Sequence, residues 1–85
     1  MTNKQLLKRL HYIHNKMLDV KGYSFYLNTT NKFEWDPTHD IFIHDSACYI
    51  IYHESFNIDN DNLDNKLKVL KDFVDELLNN QETRN

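Results

Sequence analysis

Residues 33–56, FEWDPTHDIFIHDSACYIIYHESF, decide the fold of this chain and contain its only Trp, Pro, Ala and Cys. Residues 41–44 and 47–53 are short runs rich in β-branched and aromatic side chains, which are typical of strands. A turn at Asp45 and Ser46 would join the two runs into a hairpin. A short helix beginning at Asp45 or Ser46 is the alternative for residues 47–53, but the isoleucine and tyrosine side chains there favour the strand.

The segment before this stretch continues the sheet. Tyr23, Phe25 and Leu27 alternate with polar residues, so every second side chain falls on one face, as in a strand. Turn-forming residues occupy positions 29–32, and the alternation resumes over residues 33–36 until the only Pro ends it. The sequence therefore predicts an antiparallel sheet of three or four short strands.

Helical periodicity occurs in the sequence both before and after the predicted strands. A side chain at residues 2–3 can cap a first helix that runs to about Lys21, with Gly22 suited to end it in the left-handed conformation. A second helix follows the acidic residues 59–61 and reaches about Asn79. The apolar positions that share one arc of each helix are Leu6, Leu7, Leu10, Ile13, Met17, Leu18 and Val20 in the first and Leu63, Leu67, Leu70, Phe73, Val74, Leu77 and Leu78 in the second.

We therefore expect an α+β fold with an N-terminal helix, an antiparallel sheet and a C-terminal helix, both helices packing on one sheet face. A chain of 85 residues allows one domain with a small core, here residues 1–80, and residues 81–85 should fray. No apolar run approaches the ~18 residues of a membrane span. The first ten residues lack the features of a secretory signal, so we expect a cytoplasmic protein.

Five histidines and one cysteine make a structural zinc site a hypothesis for so small a core. Zinc prefers tetrahedral nitrogen and sulfur ligands. His11 and His14 lie one helical turn apart, and His44 and Cys48 flank a predicted turn, so these four are the candidate metal ligands, with His39 and His53 as substitutes. In the alternative, His14 and Cys48 belong to the core and the other histidines to the surface.

Known catalytic patterns are absent. The single Gly excludes the glycine-rich phosphate loops and the nucleophile elbow, and neither zinc-protease nor zinc-deaminase spacing occurs. Cys48 with His44 or His53 is the one candidate nucleophile pair, but an Ala-Cys-Tyr-Ile-Ile setting is typical of a core, where a thiol is inert. We therefore predict no enzyme activity, and no cofactor other than zinc.

The charges are segregated along the chain. Residues 34–64 carry eight carboxylates and no Lys or Arg, whereas residues 1–33 carry six basic side chains and one acid. Acids set among aromatics suit a basic groove on a large nucleic-acid-binding protein, although runs of charge commonly do no more than solvate a surface. The candidate partner-binding residues are Glu34, Trp35, Asp36, Asp40, Asp45, Tyr49, Tyr52 and Glu54.

Direct nucleic-acid binding is the competing class of function. A helix, three strands and a helix also follow one another in double-stranded RNA-binding domains. Such domains grip phosphates with a basic start of the last helix, whereas here residues 59–64 are DNDNLD. This inverted charge disfavours RNA, and the face of the first helix with Lys8, Arg9 and Lys16 would offer only a weak phosphate contact.

The composition points to a source with AT-rich coding sequence, because eleven Asn accompany one Gly, one Ala and one Pro. In size, composition, acidic patches and lack of catalytic motifs, the chain resembles the small anti-CRISPR proteins that phages carry against host defences. The resemblance implies an inhibitor that binds a type II CRISPR effector nuclease and blocks DNA loading or a conformational step. A small adaptor with an unrelated protein partner is the alternative.

Overall fold

The computed structural model describes residues 1–31 and 37–82, with side chains through residue 81. Two helices flank three strands in the order α1(Asn3–Met17), β1(Ser24–Thr30), β2(Thr38–His44), β3(Ile50–Phe56) and α2(Leu63–Glu82). The strands form one antiparallel sheet with β2 in the centre. The predicted α+β fold, in which one helix precedes and another follows an antiparallel sheet along the chain, is confirmed.

The sheet has one buried and one open face. Along β2, His39, Ile41 and Ile43 are buried, and the residues between them are only partly covered. Phe25 lies opposite Ile43 on β1, and Phe56 lies opposite His39 on β3. Because successive side chains of a strand point to opposite faces, these residues define the buried face.

Both helices cover that buried face. The core combines four residues of α1, four of α2 and three of the sheet, joined by Val20: Leu6, Leu10, Ile13, Met17, Leu63, Leu67, Leu70, Val74, Ile41, Ile43 and Phe56. Arg9 pairs with Asp64, and Lys16 with Asp75. The later residue of α1 thus pairs with the later residue of α2. The two helices therefore lie side by side and run in the same direction.

The first helix begins where the sequence predicts and ends earlier. Thr2 accepts a hydrogen bond from the Gln5 N–H, and the Gln5 side chain accepts one from the Thr2 N–H, so a capping box starts α1. The helix ends at Met17 rather than near Lys21, and residues 18–22 form turns. Gly22 has the predicted left-handed backbone, φ +84°, but in the second of these turns.

The second hairpin is also shifted from its predicted bounds. Residues 50–56 form the strand, which confirms a strand over a helix, but residues 47–49 belong to the turn. The predicted strand over residues 33–36 lies outside the described residues. At the other end of the chain, α2 continues through Glu82 and so includes two residues of the segment that we expected to fray.

Candidate interaction surface on the open sheet face

The face of the sheet opposite the helices carries rings and histidines. Tyr26 on β1 lies opposite Phe42 on β2, and Phe42 lies opposite His53 on β3. The Phe42 and His53 rings are stacked, with centroids 4.3 Å apart and planes 7° from parallel. Tyr26 contacts His44, with centroids 5.0 Å apart. Each ring is therefore held by a neighbour on the next strand, as cross-strand pairs are in sheets.

One end of this face is strongly apolar. Tyr49, Ile50 and Ile51 are 71%, 57% and 38% exposed, and Tyr26 is 53% exposed. A register shift after Ile43 places Ile50 opposite His44 and leaves Ile51 as an extra residue, so two consecutive isoleucines are exposed. We call Tyr26, Phe42, His44, Tyr49, Ile50 and Ile51 together the aromatic patch.

The predicted acidic residues of this region have local partners. Asp40, on the open face, accepts a hydrogen bond from the Ser55 hydroxyl, and its carboxylate lies 3.7 Å from His53 Nε2. The Asp45 carboxylate accepts hydrogen bonds from the N–H groups of Ala47 at 2.9 Å and Tyr49 at 3.0 Å. Asp45 therefore holds the hairpin turn that presents Tyr49.

Two other predicted partner-binding residues lie on the helix side. The Tyr52 ring contacts Phe73 of α2 at 5.4 Å between centroids. Burial raises the pKa of Tyr52 to about 12, and the Glu54 carboxylate adds to the rise. Glu54 pairs with Lys66 at 3.3 Å. Tyr52 therefore packs against the core and offers no ring to a partner on the open face.

The remaining predicted partner-binding residues, Glu34, Trp35 and Asp36, lie outside the described residues. Of the eight candidates, Asp40 lies on the open face, and Asp45 and Tyr49 lie in the turn between β2 and β3. Tyr26, Phe42 and the two isoleucines were missed. The signal that could have found them is the strand period itself, which sets Tyr26 and Phe42 on the face opposite to Phe25 and Ile43.

The four candidate zinc ligands lie apart. His11 is exposed on α1, and His14 stacks on Phe25 with centroids 4.9 Å apart, on the helix side of the sheet. His44 lies on the open face, and Cys48 is exposed in the turn. Among residues 1–31 and 37–82, no three His, Cys, Asp or Glu side chains form a group that could hold a metal. The zinc site stays a prediction.

The core histidine is His39, not His14. The His39 side chain is fully buried, with Nδ1 2.9 Å from Thr29 Oγ1 and Nε2 2.8 Å from Asn3 Oδ1. Because the Asn3 oxygen can only accept, Nε2 carries the proton, and Nδ1 accepts from the Thr29 hydroxyl. His39 alternates with Ile41 and Ile43, a pattern that marks a buried strand position.

The expectation that Cys48 belongs to a core is wrong. Its side chain is exposed and its backbone is left-handed, with φ +66°. Its N–H donates to the Asp45 carbonyl at 3.0 Å, so Cys48 completes a tight turn. Within the described part of the chain, no hydrogen bond links its thiol to His44 or His53, the candidate partners weighed above.

No protein-family model, curated protein or solved structure matches this chain. Across the described residues, neither α1 nor α2 has the length and apolar character needed to cross a membrane.

Proposed function

We propose that this protein is a non-catalytic protein-binding module and that the aromatic patch is its recognition surface. The observation that carries the proposal is the exposure of Tyr26 and Ile50 at one end of the open sheet face, together with that of Tyr49 and Ile51, which adjoin Ile50 in the chain. Exposed apolar clusters bordered by polar groups are typical of protein-interaction sites. Tyrosines are also over-represented among the residues that dominate binding energy.

The form of the surface supports a protein partner. The Phe42 ring is already stacked on His53, and the His44 ring contacts Tyr26, so little side-chain freedom is lost when a partner covers them. Asp40 and Ser55 supply a polar border beside the rings. A central apolar group with a polar border is the usual arrangement of a protein interface.

The partner class that we propose is a large nucleic-acid-binding protein, in particular a type II CRISPR effector nuclease that a phage inhibitor would block. The acids of the middle third of the chain support a basic partner surface, since complementary potentials speed association. Asp40 lies at the border of the patch, where such a field would act. Binding there would obstruct DNA loading or a conformational step of the nuclease.

The first test measures binding to a purified type II effector with its guide RNA. Tyr49→Ala should accelerate dissociation by an amount worth about 2 kcal/mol or more, because an exposed ring is lost from the contact. Asp40→Lys should mainly slow association and weaken its dependence on salt. Leu18→Ala is the matched control, because Leu18 is similarly exposed but lies at the end of α1 and is not part of the aromatic patch.

Circular dichroism of each variant must first show an unchanged fold. A folded Tyr49→Ala or Tyr26→Ala protein that binds as tightly as the native one would exclude the aromatic patch as the interface. No binding to the effector would exclude this partner class. In that case, capture from a low-GC bacterial lysate would seek proteins that the native and Leu18→Ala baits retain and that the Tyr49→Ala bait loses.

Double-stranded RNA binding is the second candidate, favoured by the element order and by the parallel helices on one sheet face. The loop before α2 and the first turn of α2 carry Asp59, Asp61 and Asp64, which repel phosphates. Double-stranded RNA-binding domains contact about 16 base pairs, so an RNA duplex of that length is the probe. Tight, salt-sensitive binding of that duplex would replace the protein-binding proposal.

A further inference from the structure

A groove of about 920 Å³ runs between the exposed sides of α1 and α2, away from the sheet. Its floor includes Tyr12, Ile13 and Leu67. Ile13 and Leu67 are core residues, whereas Tyr12 is 59% exposed. From Asp64 to Asp72, the α2 side of the groove extends about 12 Å, a little over two helical turns. The groove is therefore long enough to receive a short amphipathic segment.

The sides of this groove are predominantly basic. Lys8 and Arg9 border it on α1, and Lys68 and Lys71 border it on α2. Asp64 and Asp72 are the two acids that line it. Arg9 lies 3.5 Å from Asp64, and both side chains are largely exposed, so that pair contributes little.

The three lysines that border the groove have no ion-pair partner within the described part of the chain. Lys8, Lys68 and Lys71 make no ion pair with any described residue. Three positive charges thus surround an apolar floor, and complementary carboxylates on a partner would meet them without displacing an existing pair.

Tyr12 is held in place at one end of the floor. The Lys16 ammonium lies 5.2 Å from the centre of the Tyr12 ring and 3.1 Å from the Asp75 carboxylate. Asp75 thereby fixes Lys16 over the ring, and cation–π attraction favours this ring position. A side chain of a bound partner would therefore contact a Tyr12 ring that is already fixed in position.

We propose that this groove binds an acidic amphipathic helix of a partner protein. Its apolar side chains would pack on Tyr12 and Leu67, and its carboxylates would pair with Lys8, Lys68 and Lys71. Amphipathic helices dock in apolar grooves in this way. A nucleic-acid backbone fits less well, because the floor is apolar and Asp64 and Asp72 face the groove. The proposal is independent of the aromatic patch, which lies on the other side of the sheet.

The test uses a synthetic peptide of about 15 residues, Glu and Leu at helical spacing, which is roughly 23 Å long as a helix. Fluorescence anisotropy should show binding that weakens with salt. Lys68→Glu/Lys71→Glu should weaken it about tenfold or more, and Tyr12→Ala should also weaken it. Lys21→Glu is the control, because Lys21 is an exposed lysine of the turn after α1 and does not line the groove.

A matching peptide of Lys and Leu should not bind. Equal binding of the acidic and basic peptides, or no effect of the charge reversals, would overturn the proposal. Sedimentation would overturn it too if the protein alone formed dimers that Tyr12→Ala dissociates, because the groove would then hold a second copy. Preference for double-stranded RNA over the acidic peptide, lost in the same lysine variants, would replace it by a phosphate site.

Discussion

His39 links three elements at a single buried side chain. It joins Thr29 of β1 to Asn3 of α1 from its own position on β2. Burial lowers the pKa of the imidazole, and His11 lowers it further, while Asp40 acts in the opposite direction. His39 is therefore neutral where an exposed histidine would be partly charged.

This lowered pKa makes the stability of the protein depend on pH. The unfolded chain binds the proton more readily, so the contribution of neutral His39 is complete above a pH of about 6.5 and is lost as the pH falls from there through the lower folded pKa. Urea unfolding at about pH 7.5 and about pH 5.5 measures the difference. His39→Gln should lower stability at the higher pH and reduce the difference between the two.

The comparison variant is His11→Gln, because His11 is an exposed side chain on α1 and contributes less than burial does to the lowered pKa of His39. Its substitution should change the free energy of unfolding by less than about 0.5 kcal/mol. Equal pH dependence in the native and His39→Gln proteins would mean that other groups carry it.

Prediction of buried residues succeeded along the long helical repeat of α1 and failed for the histidines. Helical spacing identified Leu6, Leu10 and Ile13 as core residues. His14, in the same arc, is only half-buried on Phe25, whereas His39 is fully buried because its two ring nitrogens both find partners. Those partners lie 10 and 36 residues away in the chain, so no local pattern reveals them.

At the scale of the element, the turn between β2 and β3 depends on the backbone of Cys48. A left-handed φ of +66° is unfavourable for any residue with a Cβ, and most unfavourable for a β-branched one. Cys48→Val should therefore lower the free energy of unfolding by about 1 kcal/mol or more relative to Cys48→Gly. Urea denaturation of the two variants measures this difference.

Ala47 provides the matched pair for the turn experiment, because it precedes Cys48 and its φ is not positive. The free energy of unfolding of Ala47→Val should not fall below that of Ala47→Gly, whereas Cys48→Val should be less stable than Cys48→Gly. The same ranking at both positions would show that the left-handed backbone is not the cause.

Element types followed from periodicity, but element ends did not. Alternation predicted β1, and helical spacing predicted both helices. The end of α1 and the start of β3 were misplaced because polar side-chain contacts, which hydrophobic periodicity does not reveal, fix the adjoining turns. The Gln81 side chain binds both backbone groups of Lys21, which holds the turn after α1 against α2. Asp45 does the same for the hairpin.

At the scale of the whole molecule, we predict that a bound zinc ion stabilises so small a core. We expect purified protein to contain about one zinc per chain and chelation to lower its melting temperature, because metal binding contributes folding free energy. Native mass spectrometry and thermal unfolding with and without a chelator measure both. Zinc content near zero, together with a melting temperature that the chelator does not change, would reject the prediction.

Charge segregation along the sequence favoured an acidic partner-binding region in the middle of the chain, but it did not place the charged residues in the fold. The basic groove lies on the helix layer, and Asp40 lies on the open face of the sheet. Whether a charged residue faces a partner or a neighbour depends on three-dimensional packing. Lys66 illustrates this, because it binds the Ser55 carbonyl at 3.0 Å and the Glu54 carboxylate at 3.3 Å and so fastens α2 to β3.

The register shift after Ile43 also bears on whether copies of the chain can join through the edges of their sheets. Within the described sheet, β3 is an edge strand, and its first residues are apolar and uncharged. Such an edge is a template for strands of other copies and for fibre growth. The extra residue, Ile51, interrupts the regular spacing of backbone donors and acceptors and increases the local twist. The irregularity that exposes two isoleucines thus also hinders the stacking of chains edge to edge.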